Sequence, residues 1–144
     1  MTRETRPMTR RDFIGNSGAL GAGVALAGSP FGFTLADTPR KRLALVGTGI
    51  RGISFWGQFI QKHYSDTAEF VGLCDINPGR LVFAKLHIGI PDCPTFTNFD
   101  EMLAVAKPDL VMVATVDNTH DEFIVKALNA GINVVTEKPM TTTA

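Results

Sequence analysis

The sequence predicts an α/β protein in which the strands form one parallel, doubly wound sheet. Three observations predict this fold class. Apolar runs of strand length alternate with segments of helical periodicity from residue 42 to residue 136, and short turns join them. Capping residues precede several of the helical segments, and glycines follow some of them. Strands that alternate with helices in this way are typical of βαβ units, in which neighbouring strands run parallel.

The domain begins with a predicted strand at residues 42–46. Its apolar run ends in a glycine, and such a run is typical of a strand that is buried on both faces. A helix is predicted over about residues 51–64, because Ile53, Trp56 and Ile60 recur at helical spacing on one side.

A second strand, a second helix and a short third strand follow. The strand is predicted at residues 69–75. Asn77 and Pro78 open the helix, since proline is tolerated in a first turn, and Gly89 ends it. After a turn, a brief strand is predicted at residues 95–96.

The third helix and the fourth strand are predicted from a cap and an apolar run. Asn98 with Glu101 has the spacing of a capping box and opens a helix that reaches Ala106. The fourth strand is predicted at residues 110–115, where the apolar run is continuous.

The same signals predict the last helix and strand. Thr119 and Glu122 repeat the capping-box spacing before a helix that extends to Ala130, and Gly131 stops it. The fifth strand is predicted at residues 133–136.

The composition excludes several classes of protein. The 144 residues balance 14 basic against 14 acidic side chains, with a sequence pI near 6.8. A nucleic-acid-binding domain needs a clustered basic face, so no nucleic-acid partner is expected. Two cysteines exclude a disulfide-rich scaffold, and neither has the spacing of a metal site. The length corresponds to one domain at most.

Residues 1–36 differ from the rest and are predicted to be a twin-arginine (Tat) signal peptide. Arg10 and Arg11 stand before an uncharged stretch that is rich in Gly and Ala. The alternatives are a basic tail or a membrane anchor, but the glycines make the stretch too weakly apolar for a spanning helix. Cleavage is expected after Ala36, with Ala27 as the alternative. The signal predicts the Tat translocase as a partner and a periplasmic or otherwise exported protein.

The turn after the first strand has the pattern G-x-G-x-x-G. The first glycine permits a tight turn, the second lets the backbone approach a pyrophosphate, and the third allows the helix to pack on the strand. The helix N-terminus adds free N–H groups and a positive dipole end. We therefore predict a dinucleotide-binding site in a Rossmann-like fold. Its residues are Gly47, Thr48, Gly49, Ile50, Arg51 and Gly52.

The end of the second strand predicts which dinucleotide binds. Asp75 follows Gly52 by 23 residues, where a carboxylate can accept hydrogen bonds from the adenosine ribose. The same charge repels a 2′-phosphate, so NAD is expected as the cofactor. Arg80 could swing towards a 2′-phosphate, which keeps NADP as the alternative. A plain helix-entry role is the other interpretation of Asp75.

Two further motifs follow the fourth and fifth strands. Residues 115–120 form a T-x-x-x-x-H segment, and residues 137–139 read E-K-P. With the glycine turn, the C-D-I-N-P-G-R stretch at 74–80 and the K-P-D entry at 107–109, they resemble the Gfo/Idh/MocA family of oxidoreductases. The resemblance covers about residues 41–143. It implies hydride transfer between a nicotinamide cofactor and a sugar, polyol or related carbohydrate, and the twin-arginine signal is similar to that of exported members.

The resemblance also implies roles for single residues. Lys138 would reach the nicotinamide and the reacting carbon as the main catalytic residue, and His120 is the second candidate. Glu137 would hold the cofactor ribose or the lysine. Thr115, Asn118 and His120 would line the nicotinamide side, although members often have proline where this chain has Val116. A surface position in a first helical turn is the alternative for His120.

The family pattern continues beyond E-K-P with a helix, a sixth strand and a second α/β domain. That domain supplies the substrate pocket and the oligomer interface. We therefore expect a signal peptide at 1–36 and a Rossmann-like domain at 37–144, truncated after the fifth strand and without its substrate domain. Alone, the chain is expected to bind the dinucleotide without turnover, and a homo-oligomer is expected only with the second domain.

Two other functions stay open. The first is an NAD-dependent glycoside hydrolase of the same superfamily, whose members commonly replace the lysine of E-K-P. The second is a dinucleotide-binding fragment without catalysis.

Overall fold

The computed structural model describes residues 39–142. The predicted signal peptide, residues 1–36, lies outside the described residues, and so does its cleavage site. Within the described part, no helix is long and apolar enough to cross a membrane.

The described residues form a five-stranded parallel sheet with helices on both faces, as the sequence predicts. The strand order is β3-β2-β1-β4-β5, so the chain crosses from one edge of the sheet to the other after β3. This reversal beside the first strand is the arrangement of a doubly wound sheet. The strands are β1 (Lys41–Val46), β2 (Ala68–Cys74), β3 (Thr95–Phe96), β4 (Leu110–Val113) and β5 (Asn133–Thr136).

Four helices connect the strands. Helix α1 covers residues 51–64, and its first part, Arg51–Gln58, is wound as a π-helix before Phe59–Tyr64 continues as an α-helix. The helical periodicity predicts the extent of α1 but not its π winding. The others are α2 (Pro78–Ile88), α3 (Phe99–Ala106) and α4 (His120–Asn129), with a 3₁₀ turn (Asp117–Thr119) before α4.

Two of the predicted helix caps form. The Asn77 side chain accepts hydrogen bonds from the N–H groups of Gly79 and Arg80, and Gly89 ends α2 in the left-handed conformation. Asn98 accepts from the N–H of Glu101 at 3.0 Å. Both side chains therefore satisfy free N–H groups at the start of their helices.

The capping box predicted at Thr119 and Glu122 is wrong. Thr119 makes no side-chain cap bond, because its hydroxyl lies 2.9 Å from the Thr115 hydroxyl and 2.8 Å from the Val116 carbonyl oxygen. The preceding 3₁₀ turn directs the hydroxyl backwards along the chain. The fourth strand is also shorter than predicted, since it ends at Val113.

The core lies on both faces of β1. Leu43 and Leu45 pack with α1 and α2 on one face, and Ala44 and Val46 pack with α3 and α4 on the other. β1 pairs with β2 and with β4, so both of its edges are hydrogen-bonded. This confirms the prediction of a central strand that is buried on both faces.

Candidate functional site

The loops that carry the predicted site residues meet at the carboxyl edge of the sheet. Backbone hydrogen bonds continue the strand pairing past the strand ends: Gly47 N–H donates to Cys74 at 2.8 Å, Ala114 N–H to Val46 at 2.9 Å, and Glu137 N–H to Val113 at 3.0 Å. These bonds hold the glycine turn beside the loops that follow β2, β4 and β5. Ligands bind at this edge in open α/β sheets.

The three glycines of the turn have three different surroundings. Gly47 has φ +90°, and a Cβ there would lie 2.5 Å from the backbone of Ala114. A Cβ on Gly52 would overlap the carbonyl oxygen of Gly47. A Cβ on Gly49 would have no atom within 4 Å. The first and third glycines are therefore required by packing of the protein on itself, whereas Gly49 borders open space.

The open space at Gly49 fits a phosphate group. Helix α1 begins directly after it, and no side chain caps its N-terminus. Ile50 beside it is 88% exposed, and the Arg51 side chain is also exposed. An uncapped helix N-terminus offers N–H groups and a positive dipole end to an anion. The residues present thus fit the pyrophosphate of a dinucleotide.

Asp75 stands beside this turn and is bound to it. Its Oδ2 accepts hydrogen bonds from the backbone N–H and from the hydroxyl of Thr48, each at 2.8 Å. Its Oδ1 accepts from the N–H of Asn77 at 2.9 Å. Asp75 is 7% exposed and Thr48 is 1% exposed. Asp75 is therefore more than a helix-entry residue, because its carboxylate stabilises the glycine turn through hydrogen bonds from Thr48.

A cleft of about 340 Å³ opens beside the glycine turn. Thr48, Gly49 and Ile50 of the turn line it, together with Arg80, Phe83 and His87 of α2. Arg80, predicted as the residue that could meet a 2′-phosphate, is exposed on this cleft. Wider grooves near Lys107 and near Arg42 lie at the opposite edge, where the strands begin.

Glu137 connects the E-K-P loop to helix α1. Its Oε1 accepts hydrogen bonds from Arg51 Nε at 2.7 Å and from Trp56 Nε1 at 2.9 Å. The Arg51 guanidinium holds the pKa of this carboxyl below its usual value of 4.5, against the opposing effect of burial. The sequence gives no signal for this contact, because 86 residues separate Arg51 from Glu137.

Lys138 is exposed at the same edge. Within residues 39–142 its ammonium forms no salt bridge, and Glu137 is bound to Arg51 instead. The arrangement leaves the Lys138 ammonium available to an oxygen atom of a ligand.

His120 is completely buried, so the alternative of a surface histidine is wrong. Its Nδ1 lies 2.7 Å from the carbonyl oxygen of Pro139, and its Nε2 lies 3.0 Å from that of Thr115. A neutral imidazole has one N–H and can donate to only one of these oxygens, whereas the protonated ring donates to both. His120 thus joins the loop after β4 to the E-K-P loop. Its contact with a nicotinamide stays a prediction.

The other residues of the β4 loop lie nearby. Thr115 is half-buried, and its hydroxyl accepts from Thr119. Asn118 is exposed in the 3₁₀ turn.

The two cysteines lie in the core rather than in the site. Burial is the main cause that raises the pKa of each thiol to about 11. Both are free and buried, as expected of small apolar residues. Among residues 39–142 no group of three His, Cys, Asp or Glu side chains could hold a metal ion.

The chain is similar to known proteins over most of its length. The family model GFO_IDH_MocA, an oxidoreductase family with an NAD-binding Rossmann fold, matches residues 41–144. The chain is 38% identical over 106 residues to YteT of Bacillus subtilis, whose name classes it as an oxidoreductase, and this match covers 72% of the chain and 25% of YteT.

Two further similarities bear on function. A glycosyl hydrolase family 109 protein of Stenotrophomonas maltophilia is 31% identical over 136 residues, which cover 88% of the chain and 29% of that protein. The crystal structure of the WlbA dehydrogenase from Bordetella pertussis, in complex with NADH and UDP-GlcNAcA, superimposes with a TM-score of 0.64 at 33% identity and covers 73% of this chain and 30% of that one. The chain thus spans between a quarter and a third of the length of these proteins.

Proposed function

The chain belongs to the Gfo/Idh/MocA oxidoreductase family and contains the NAD-binding Rossmann domain of that family. On this basis we propose a role for the domain in hydride transfer. In the whole protein the domain presents a nicotinamide to a sugar, a polyol or a related carbohydrate for hydride transfer. WlbA supports this substrate class, because it is a dehydrogenase that was crystallised with NADH and a sugar nucleotide.

One observation carries the proposal: a glycine turn that is open only at its second glycine. At Gly47 and Gly52 the backbone of the protein itself occupies the space that a Cβ would need, whereas Gly49 borders free space at an uncapped helix N-terminus. That combination admits a pyrophosphate against the backbone. The neighbouring carboxylate of Asp75 favours a ribose hydroxyl over a 2′-phosphate, so NAD is the proposed cofactor and NADP the alternative.

The chemistry at the nicotinamide end is assigned to the E-K-P loop. When bound, the nicotinamide gives or takes a hydride at its C4 atom. The Lys138 ammonium donates a hydrogen bond to the substrate oxygen and assists the movement of its proton. Glu137 and His120 hold the loop on which Lys138 stands, through Arg51 and Trp56 on one side and through the Pro139 carbonyl on the other. Thr115 and Asn118 complete this side of the proposed site.

The glycoside hydrolase is the second candidate. The family 109 relative favours it, since that match covers 88% of the chain and so extends past residue 41 into the N-terminal segment. Lys138 argues against it, because that branch commonly replaces this lysine. A binding protein without catalysis is the third candidate.

Two measurements test these candidates. Calorimetry of the 144-residue chain with NAD should show saturable binding with one site, and absence of binding would contradict the proposal. The whole protein should then be incubated with NAD and a panel of sugars and polyols, and with nitrophenyl glycosides. Accumulation of free NADH supports the oxidoreductase. Glycoside cleavage without net NADH supports the hydrolase, and binding without turnover supports the third candidate.

We also propose that residues 1–36 direct export of the folded protein through the Tat translocase. Arg10 and Arg11 before the Gly- and Ala-rich stretch support this. Residues 1–36 fused to a reporter should carry it to the periplasm, and the double substitution Arg10→Lys and Arg11→Lys should retain it inside. Export of both fusions would contradict the proposal. Assembly into a homo-oligomer is proposed to depend on the second domain.

A further inference from the structure

The carboxylate of Asp75 has one acceptor position left for a ligand. An ionised carboxylate offers about four acceptor positions. The protein fills two on Oδ2, with the N–H and the hydroxyl of Thr48, and one on Oδ1, with the N–H of Asn77. The remaining position is on Oδ1. A carboxylate held in this way can accept one further hydrogen bond and cannot turn without losing others.

Thr48 is the only one of these partners that contributes a side chain. It is 1% exposed and stands between Gly47 and Gly49, so the residue that fixes the carboxylate belongs to the turn assigned to the pyrophosphate. Its hydroxyl donates to a charged acceptor, and hydrogen bonds of this kind are stronger than those between neutral groups.

We propose that Thr48 is a positioning residue that sets the preference for NAD over NADP, by fixing the carboxylate of Asp75. The inference rests on the proposed cofactor site. A fixed, ionised carboxylate meets the ribose hydroxyl with its free Oδ1 position and repels a 2′-phosphate at the same place. Without the Thr48 hydroxyl, the backbone N–H groups of Thr48 and Asn77 still bind the carboxylate but fix its orientation less firmly, so the repulsion of a 2′-phosphate is weakened. Arg80, which lines the cleft together with Thr48, remains available to that phosphate.

A purely structural role for Thr48 predicts a different result. If the hydroxyl only stabilises the turn, its loss weakens the binding of NAD and NADP by the same factor. Under the proposal, the ratio of the two dissociation constants changes. The preference ratio Kd(NADP)/Kd(NAD) therefore separates the two roles.

The test is calorimetric titration of the 144-residue chain with NAD and with NADP. Thr48→Val keeps the shape and the backbone N–H of residue 48 but removes the hydroxyl, and the preference ratio should fall about tenfold. Thr48→Ser retains the hydroxyl and should stay within about twofold of the unmodified chain. Thr48→Ala replaces Thr48→Val if that variant does not fold, as judged by circular dichroism, and the same fall is expected.

A double-mutant cycle makes the test specific to the contact with Asp75. Asp75→Asn should itself lower the preference ratio, and adding Thr48→Val to it should have no further effect on that ratio. An unchanged ratio in Thr48→Val, or an equal effect with and without Asp75, would overturn the inference while leaving the cofactor site intact. If the unmodified chain binds neither cofactor, the proposed function fails and the inference fails with it.

Discussion

The imidazole of His120 and the carbonyl oxygen of Pro139 are 2.7 Å apart, although the two residues stand at opposite ends of a helix–strand unit. Through this contact a fully buried side chain at the start of α4 holds the loop after β5. The same ring reaches the Thr115 carbonyl in the loop after β4.

Replacement of His120 should therefore act on stability first. His120→Leu removes the imidazole from its contacts with the carbonyl oxygens of Pro139 and Thr115 and puts no hydrogen-bond donor in its place, which should lower the free energy of unfolding by about 2–4 kcal/mol. His120→Gln keeps a donor group and should cost less. Urea denaturation followed by circular dichroism measures both, and an unchanged midpoint in His120→Leu would show that hydrogen bonding by the imidazole contributes nothing to stability.

The glycine turn allows a prediction with a matched control. Gly49→Ala should leave the stability within about 1 kcal/mol of the unmodified chain, because its Cβ meets no atom within 4 Å. It should weaken NAD binding at least about tenfold, since the methyl group occupies the place of the pyrophosphate. Gly52→Ala should instead destabilise the fold by about 2–4 kcal/mol, because its Cβ overlaps the Gly47 carbonyl oxygen. Equal stability of the two variants would contradict this account.

The ion pair between Arg51 and Glu137 should be lost in acid. The folded-state pKa of the Glu137 carboxyl lies below the usual 4.5, mainly because of the hydrogen bond from Arg51. The ion pair therefore contributes to stability above pH 4.5, and this contribution disappears as the pH falls through the lowered pKa. Trp56 is the single tryptophan of the chain and donates to Glu137, so its fluorescence reports the protonation. The transition should lie below pH 4.5 and move upwards in Arg51→Gln. The same midpoint in both chains would argue against the pair.

The two thiols should react slowly in the folded protein. Because the pKa of each is raised to about 11, both remain protonated at pH 8 and neither is a good nucleophile. An aromatic disulfide reagent should modify them only after unfolding by urea. Rapid modification at pH 8 without urea would show that the cysteines are accessible.

The raised pKa values of the two thiols also predict that stability falls as the pH rises above the usual thiol pKa of 9.0, because the unfolded chain loses these protons first.

Lys138 should matter for turnover and not for cofactor affinity. In the whole protein, Lys138→Met is expected to lower kcat by about 10²–10⁴-fold, the range of general acid–base catalysis. The Kd for NAD should change by less than about threefold, since the ammonium is exposed and forms no salt bridge within the described residues. A large loss of NAD affinity with unchanged kcat would assign Lys138 to cofactor binding instead.

Most of the fold could be predicted because its signals are local. The apolar run of β1, the caps at Asn77 and Asn98 and the left-handed Gly89 each depend on a few neighbouring residues. The glycine pattern likewise predicts where the chain turns, and the structure confirms why two of its three glycines are needed by the protein itself.

The features that the sequence did not predict are of two kinds, contacts between distant residues and local departures from regular helix geometry. Glu137 binds Arg51 and Trp56 across more than 80 residues, and the buried His120 contacts the Pro139 carbonyl, 19 residues further along the chain. The Thr119 cap fails because the hydroxyl binds Thr115 and Val116 instead. The π winding of Arg51–Gln58 leaves no mark in the residue periodicity.

Because strand pairing continues into the site loops, the number of residues in β1 determines where the glycine turn lies relative to those loops. Val46 meets Cys74 on one side and Val113 on the other, and the glycine turn starts one residue later. Deleting one residue within β1 would turn every following side chain to the other face of the sheet and draw Gly47 away from Cys74. Side chains in this strand can be exchanged for others of similar volume, whereas a single-residue insertion or deletion would disable the core and the cofactor site in one step.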